Sequence, residues 1–322
     1  MDWGFSFPQI LGTTDLSTFY WHSFGMTTVD ELLQINGLSD LVLNGHQKTF
    51  TNVAGIWQAV SNPFDSSEQL KAFAVELAAS SRKRLDFASP FADVAIGPLR
   101  YHLALPISGG DVHVSIRKHQ APGLALERLI EVPARWLEVL DRIVASRANF
   151  IIAGGTGTGK TTLLRAMLER DQTQRIVTVE DVPELYLDIP NAAQLQSRQA
   201  NSDGAGEINL QRLVIEALRM KPDRIAVGEV RGLELVPMLQ ALNSGHRGSA
   251  TTIHANRAED VPARLLGIGL LGGLSPTTTA HLASSAFDYV ISLGPRTRGI
   301  NITAIASFTL TNESKLVTKR EY

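Results

Sequence analysis

The stretch "GGTGTGKTT", Gly154 to Thr162, places four glycines in six residues ahead of a lysine and two threonines. Glycine loses more conformational freedom on folding than other residues, so this density predicts backbone that must turn left-handed or approach something closely. Gly154, Gly155, Thr156, Gly157, Thr158, Gly159, Lys160 and Thr161 fit G-x-x-x-x-G-K-[ST], with an apolar run before them and a helical pattern from Lys160 through Thr162 onward. Successive N–H groups of such a loop form an anion nest, and the positive end of the following helix points at the same place. The chemistry that suits is nucleoside triphosphate binding, with Lys160 on the β and γ phosphates and the Thr161 hydroxyl on Mg²⁺. The competing reading, a glycine-rich turn with a chance lysine, is disfavoured by the spacing and by both flanks.

Three further segments end a buried-strand pattern on a polar residue. They are "RIVTVEDVPEL" with Glu180 and Asp181, "RIAVGEVRG" with Glu229, and "GSATTIHANR" with His254, preceded by His246 in "GHRG". A carboxylate at such a place is costly unless it meets a cation, a water or a donor. In an open parallel sheet the strand carboxyl ends gather at one edge, so Glu180, Glu229 and His254 are expected to converge beside the phosphate loop. Their roles stay open. Glu229 either holds the Mg²⁺ shell through water or orients the attacking water, and Glu180 is the competing base. Against both stands a carboxylate that caps the next helix, and a lone histidine is more often a satisfied core residue.

These residues need a scaffold, and the pattern from Pro133 supplies one. "ARWLEVLDRIVASR", "KTTLLRAMLER", "INLQRLVIEALRM" and "GLELVPMLQALNSG" read as helices alternating with the strands "NFIIAG", "RIVTVED", "DRIAVGEV" and "GSATTIHA". That alternation predicts an α/β domain over 133–322 with a mostly parallel sheet covered on both faces. Residues 1–118 read as a smaller α+β domain. Thr28, with Glu31 three residues on, predicts a helix N-cap; "LSDLVLNG" and "KTFTNV" predict strands around a turn at Asn44-Gly45. "SSEQLKAFAVELAASSRKR" predicts a helix with Leu70, Phe73, Leu77 and Ala78 on one face. In "LRYHLALPI" and "DVHVSIRK" the alternation puts Arg100 and Arg117 on the face away from the apolar side. Two prolines and a glycine in "HQAPGLALERLIEVPARW" predict a linker at about 119–132.

Thirty Lys and Arg against thirty-two Asp and Glu give a formal charge of -2, which does not suggest a nucleic-acid binder. The chain has no cysteine, which excludes disulfides, thiolate metal sites and a cysteine nucleophile. "MDWGFSFPQI" lacks the basic and apolar regions of a signal peptide, and "LLGIGLLGGL" from Leu265 is too short to span a bilayer. A cytoplasmic protein, joined to a membrane through a partner, is the expectation.

In sequence order, "GGTGTGKTT", "VTVEDVPEL", "LRMKPDRIAVGEVRG" and "GHRGSATTIHAN" resemble the Walker A, Asp box, Walker B and His box of the type II and type IV secretion ATPase superfamily. "LVLNG", "SIRKH" and "SRQANSDGAGEINL" resemble its tight-adherence (Tad/Flp) pilus or conjugal-transfer-associated branch. The resemblance runs from about residue 30 to about residue 293. It implies a homo-hexamer of subunits with a PAS-like N-terminal domain and a RecA-like phosphate-loop domain. It also implies ATP with Mg²⁺ as cofactor, Thr161 and Glu229 around the metal, and Arg100 and Arg117 as phosphate-contacting arginines. The Walker B segment has Gly228 and no aspartate before Glu229, so direct carboxylate ligation of Mg²⁺ is not implied.

The function expected from this resemblance is a motor that converts ATP hydrolysis into domain rotation. It would power pilus assembly or secretion with an inner-membrane platform protein, at the cytoplasmic face. A nucleotide-gated scaffold of the same complex is the alternative, and a RecA-like DNA-translocating motor a third.

Overall fold

The computed structural model describes residues 27–53, 55–107, 110–118, 125–198, 206–296 and 298–322. The chain divides into two units, Met1–Gln120 and Ala121–Tyr322.

Period-two alternation in the first unit builds an antiparallel sheet. Helix α1 (Thr27–Leu33) leads into β1 (Leu38–Asn44), β2 (Thr49–Val53) and β3 (Ile56–Val60). Then follow α2 (Ser67–Ser80), β4 (Phe91–Ile96), β5 (Leu99–Ala104) and β6 (His113–Lys118). The six strands run in the order β3-β2-β1-β6-β5-β4. The β1–β2 turn uses Gly45 at φ +74°, as Asn44-Gly45 predicts. A Cβ there would also lie 2.2 Å from Asp111 Oδ2, so only glycine fits.

Ser66 caps α2 by accepting from the Gln69 N–H, and the helix buries Leu70, Phe73, Leu77 and Ala78, the expected face. Those side chains share a core with Leu41, Leu43, Leu103, Val114 and Ile116. Helix α1 starts at Thr27, so Thr28 stands within its first turn and not at the cap.

The second unit opens with α3 (Leu126–Leu129) and α4 (Pro133–Ala145), then β7 (Phe150–Gly154) and α5 (Lys160–Leu168). Strands β8 (Ile176–Glu180) and β9 (Ala192–Gln196) precede α6 (Leu210–Arg219), β10 (Arg224–Val227), α7 (Leu235–Asn243) and β11 (Ala250–Ile253). Helices α8 (Val261–Leu271) and α9 (Pro276–Ala286) lead to β12 (Tyr289–Leu293), β13 (Ile302–Leu310) and β14 (Leu316–Arg320). The eight-stranded order is β14-β13-β12-β7-β11-β10-β8-β9. Every pair from β12 to β9 is parallel, and β13 and β14 add antiparallel.

Helices cover both faces, and the strands between them are buried on both sides and mostly apolar. Ile152 packs with Leu140, Ile143, Leu163 and Met167 of α4 and α5. Ile151 and Val227 pack with Val214, Leu239, Leu265 and Ala283 of α6 to α9. Among the described residues, no helix is long and apolar enough to cross a membrane.

The linker expected over 119–132 does not extend that far. Leu126, Leu129 and Ile130 are buried in the second core. Ile130 forms a parallel bridge to Ile300, which donates its N–H to Leu129 O at 2.7 Å and accepts from Glu131 N at 3.0 Å. Apolar side chains at helical spacing found a core that the nearby prolines and glycine hid. Residues 119–124, and 199–205 of "SRQANSDGAGEINL", lie outside the described residues.

Candidate functional site

The phosphate loop joins β7 to α5, and its glycines answer to specific neighbours. Gly157 and Gly159 have φ of +77° and +95°, left-handed values that side chains resist. A Cβ on Gly154 would lie 2.5 Å from Thr158 Oγ1, whose hydroxyl donates to Gly155 O at 2.9 Å. Thr156 and Gly157 are exposed at the tip. Lys160, Thr161 and Thr162 form the first turn of α5, where the backbone N–H groups have no intrahelical acceptor and the helix dipole favours an anion.

Lys160 is only 8% exposed, and its ammonium donates to Gly155 O at 2.8 Å. The same Nζ lies 3.5 Å from His254 Nε2, which in turn lies 3.4 Å from Glu229 Oε1. Burial lowers the Lys160 pKa, while the charges of Glu229 and Glu184 act to raise it. Burial and Lys160 hold the His254 pKa below its ordinary value, against the opposing pull of Glu229; Arg264 and Arg231 lower it further. Thr161 Oγ1 donates to Glu184 Oε2 at 3.1 Å. The structure thus brings Lys160, Thr161, Glu229 and His254 together, so that two of the three strand-end residues expected to converge stand beside the loop.

Glu180 is placed differently. Its Oε1 accepts from the N–H groups of Glu184 and Leu185, each at 3.0 Å, and its Oε2 accepts from Gln194 Nε2 at 2.9 Å. Burial raises its pKa, opposed by those three donors. Glu180 therefore caps backbone, and the carboxylate that reaches the phosphate loop is Glu184, four residues on. The signal was the second glutamate of "VEDVPEL", which lies past the strand end where the sequence argument stopped.

Two arginines near His254 were also missed. Arg231, two residues after Glu229, forms an ion pair with Asp181, and Arg264 lies on α8 within electrostatic reach of His254. His246 caps the end of α7, its Nδ1 lying 3.1 Å from Ala241 O. Arg247 serves the opposite end of the sheet. It pairs at 3.2 Å with Asp288, which accepts from the Asn149 N–H at 2.7 Å just before β7.

In the first unit, Arg100 and Arg117 occupy paired positions on β5 and β6, on the face away from the core. Arg117 Nε donates to Asp40 Oδ1 at 3.0 Å and its side chain is half exposed.

A hard divalent cation fits this donor set. The Thr161 hydroxyl gives its proton to Glu184, which leaves its lone pairs free for a metal such as Mg²⁺.

An anion nest at the edge of a parallel sheet, whose lysine lies between two carboxylates and a histidine, is built for nucleotide phosphates. The second unit is accordingly a phosphate-loop ATPase domain of RecA-like α/β architecture. The chain as a whole belongs to the type II/IV secretion system protein family, whose model matches residues 96–293. It is 38% identical to a putative conjugal transfer protein of Mycobacterium tuberculosis, over 78% of this chain and 74% of that one. It is 26% identical to the type IV secretion system protein VirB11 of Bartonella quintana, over 71% and 76%. In fold it is similar to the Legionella pneumophila ATPase DotB, with a TM-score of 0.61, 20% identity, and coverage of 92% of this chain and 80% of that one.

Proposed function

We propose that this chain is the ATP-hydrolysing subunit of a homo-hexameric motor that powers pilus assembly or secretion. Its partner would be an inner-membrane platform protein, reached from the cytoplasmic face. One observation carries the enzymatic part: Lys160 lies within electrostatic reach of both Glu229 and Glu184, while Glu184 holds the Thr161 hydroxyl. The near-neutral chain and its relatives in secretion and conjugal transfer support the rest.

ATP binding moves Lys160 from Gly155 O to the β and γ phosphates, which seat on the N–H groups of residues 155–162. Thr161 Oγ1 and Glu229 are the residues that would hold Mg²⁺, which would supply charge neutralisation to the phosphates. Glu184 accepts a proton from the attacking water as its oxygen bonds to the γ phosphorus and the bond to the β-γ bridging oxygen breaks. His254 lies beside the γ-phosphate, and Glu180 keeps Glu184 in place. The resemblance assigns Arg100 and Arg117 to the phosphates as further positive charge.

The test is ATP hydrolysis by purified wild type and Lys160→Ala, with oligomer mass followed by light scattering. Turnover lost about 10³-fold in the variant, in a six-subunit wild type, is the expected result. A well-folded hexamer with no turnover, even with its membrane partner, would leave the scaffold reading in its place.

A further inference from the structure

The two loops that carry the site's carboxylates leave neighbouring strands in different directions. Val179 and Val227 are paired in register, and the ladder runs one step further, from Gly228 N to Val179 O at 2.9 Å. Beyond it, residues 181–191 run out to β9 and residues 229–234 turn into α7. Glu184 sits on the first loop and Glu229 on the second, each negatively charged near Lys160.

Arg231 reaches from one loop to the other. Its own backbone is fixed, because Glu234, only 5% exposed, accepts from the N–H groups of Arg231 and Gly232 at 2.6 and 2.7 Å. Its guanidinium pairs with Asp181. Asp181 is fixed as well, since the Ser197 hydroxyl donates to its Oδ1 at 2.7 Å at the end of β9. A partly exposed ion pair between two anchored ends adds little to stability, on the order of 0–1 kcal/mol at most. Its geometric effect is larger, because a displacement of about 1 Å in a reacting group can cost on the order of 100-fold in rate.

We propose that the Asp181–Arg231 pair is a latch that sets the separation of the Glu184 and Glu229 loops, making Arg231 a positioning residue for hydrolysis. This rests on the hydrolytic reading above. The latch acts on the transition state, where both carboxylates must be in register. ATP binding draws mainly on the phosphate loop, so it is expected to survive loss of the pair.

Two readouts on the full-length protein test the latch. Steady-state ATP hydrolysis with Mg²⁺ compares wild type with Asp181→Asn, Arg231→Gln and the charge-swapped double variant Asp181→Arg/Arg231→Asp. Each single variant is expected to lose kcat about tenfold with KM within about twofold, the swap to recover most of it, and all to melt within about 3 °C of wild type. Wild-type kcat in the singles, or a swap as slow as they are, overturns the latch.

Hydrogen exchange without nucleotide provides the second readout, and it does not depend on turnover. Arg231→Gln is expected to speed exchange in residues 181–186, and Asp181→Asn in residues 228–234, each in the loop across from the substitution. Unchanged exchange across the pair overturns the latch even if the wild type proves inactive, an outcome that would separately end the hydrolytic reading.

Discussion

Arg100 and Arg117 stand at directly paired positions of an antiparallel ladder, with Asp40 opposite Arg117 on its other side. Like charges so placed cost about 0.2–1 kcal/mol relative to neutral pairs. Arg100→Gln is expected to lower ATP turnover by about 10³ with the first unit still folded. Thermal unfolding and hydrolysis on the same preparation check both. Full activity in a folded variant would make the pair a structural accident.

Glu184 and Glu180 separate cleanly by substitution. Glu184→Gln is expected to bind ATP normally and lose about 10²–10⁴ in kcat, because the acceptor of the water's proton is gone. Glu180→Gln is expected to stay within about fivefold of wild type. Its carbonyl still accepts from the 184 and 185 amides, and an amide flip of Gln194 offers its own oxygen to the new NH₂. Nucleotide binding and turnover of the two variants, measured side by side, decide which glutamate is at the reaction.

The direction of the His254 shift sets a pH dependence. Its folded pKa lies below the ordinary value near 6.5, so the native imidazole stays neutral while the unfolded one takes up a proton. The His254 contribution to stability is therefore constant above about pH 6.5 and falls as pH drops below it. Melting temperature followed between about pH 5 and 8 should show a steeper acid loss in wild type than in His254→Asn. Parallel curves would refute the assignment.

Thr178 offers a test in the core. Its hydroxyl is buried on β8 with no hydrogen-bond partner among the described residues, so it keeps a desolvation cost without return. Thr178→Val is expected to stabilise the second unit by about 1 kcal/mol, read as a higher urea midpoint at unchanged slope.

The βα alternation from Pro133 to β11 was legible because each element has one clear period and glycine or charged residues punctuate it. Helices α8 and α9 were not, since Gly267 and Gly269 break the helical pattern of the apolar tract. Gly269 is there for contact: a Cβ on it would lie 2.2 Å from Thr279 Oγ1 of α9. Strand β3 escaped because both its faces are exposed, and β9, "AAQLQ", because it has no β-branched or aromatic residue. The phosphate loop, Glu229 and His254 could be found because each ends or follows a buried strand. Glu184 and Arg231 lie out on loops, where only the fold decides which way a side chain returns.

Ile300 has a mechanical meaning that its burial alone does not convey. It is hydrogen-bonded on both sides to the backbone of Leu129 and Glu131, and it fills the space beside the α-carbon of Gly159, where a Cβ would lie 3.0 Å from Cγ1. One β-branched residue thus ties the turn at Leu129–Glu131 to the phosphate loop. A shift of that turn reaches Gly159 through a single stiff side chain, and the coupling is reciprocal. Movement of Gly159 on nucleotide binding would press on the turn as surely as movement of the turn would press on Gly159.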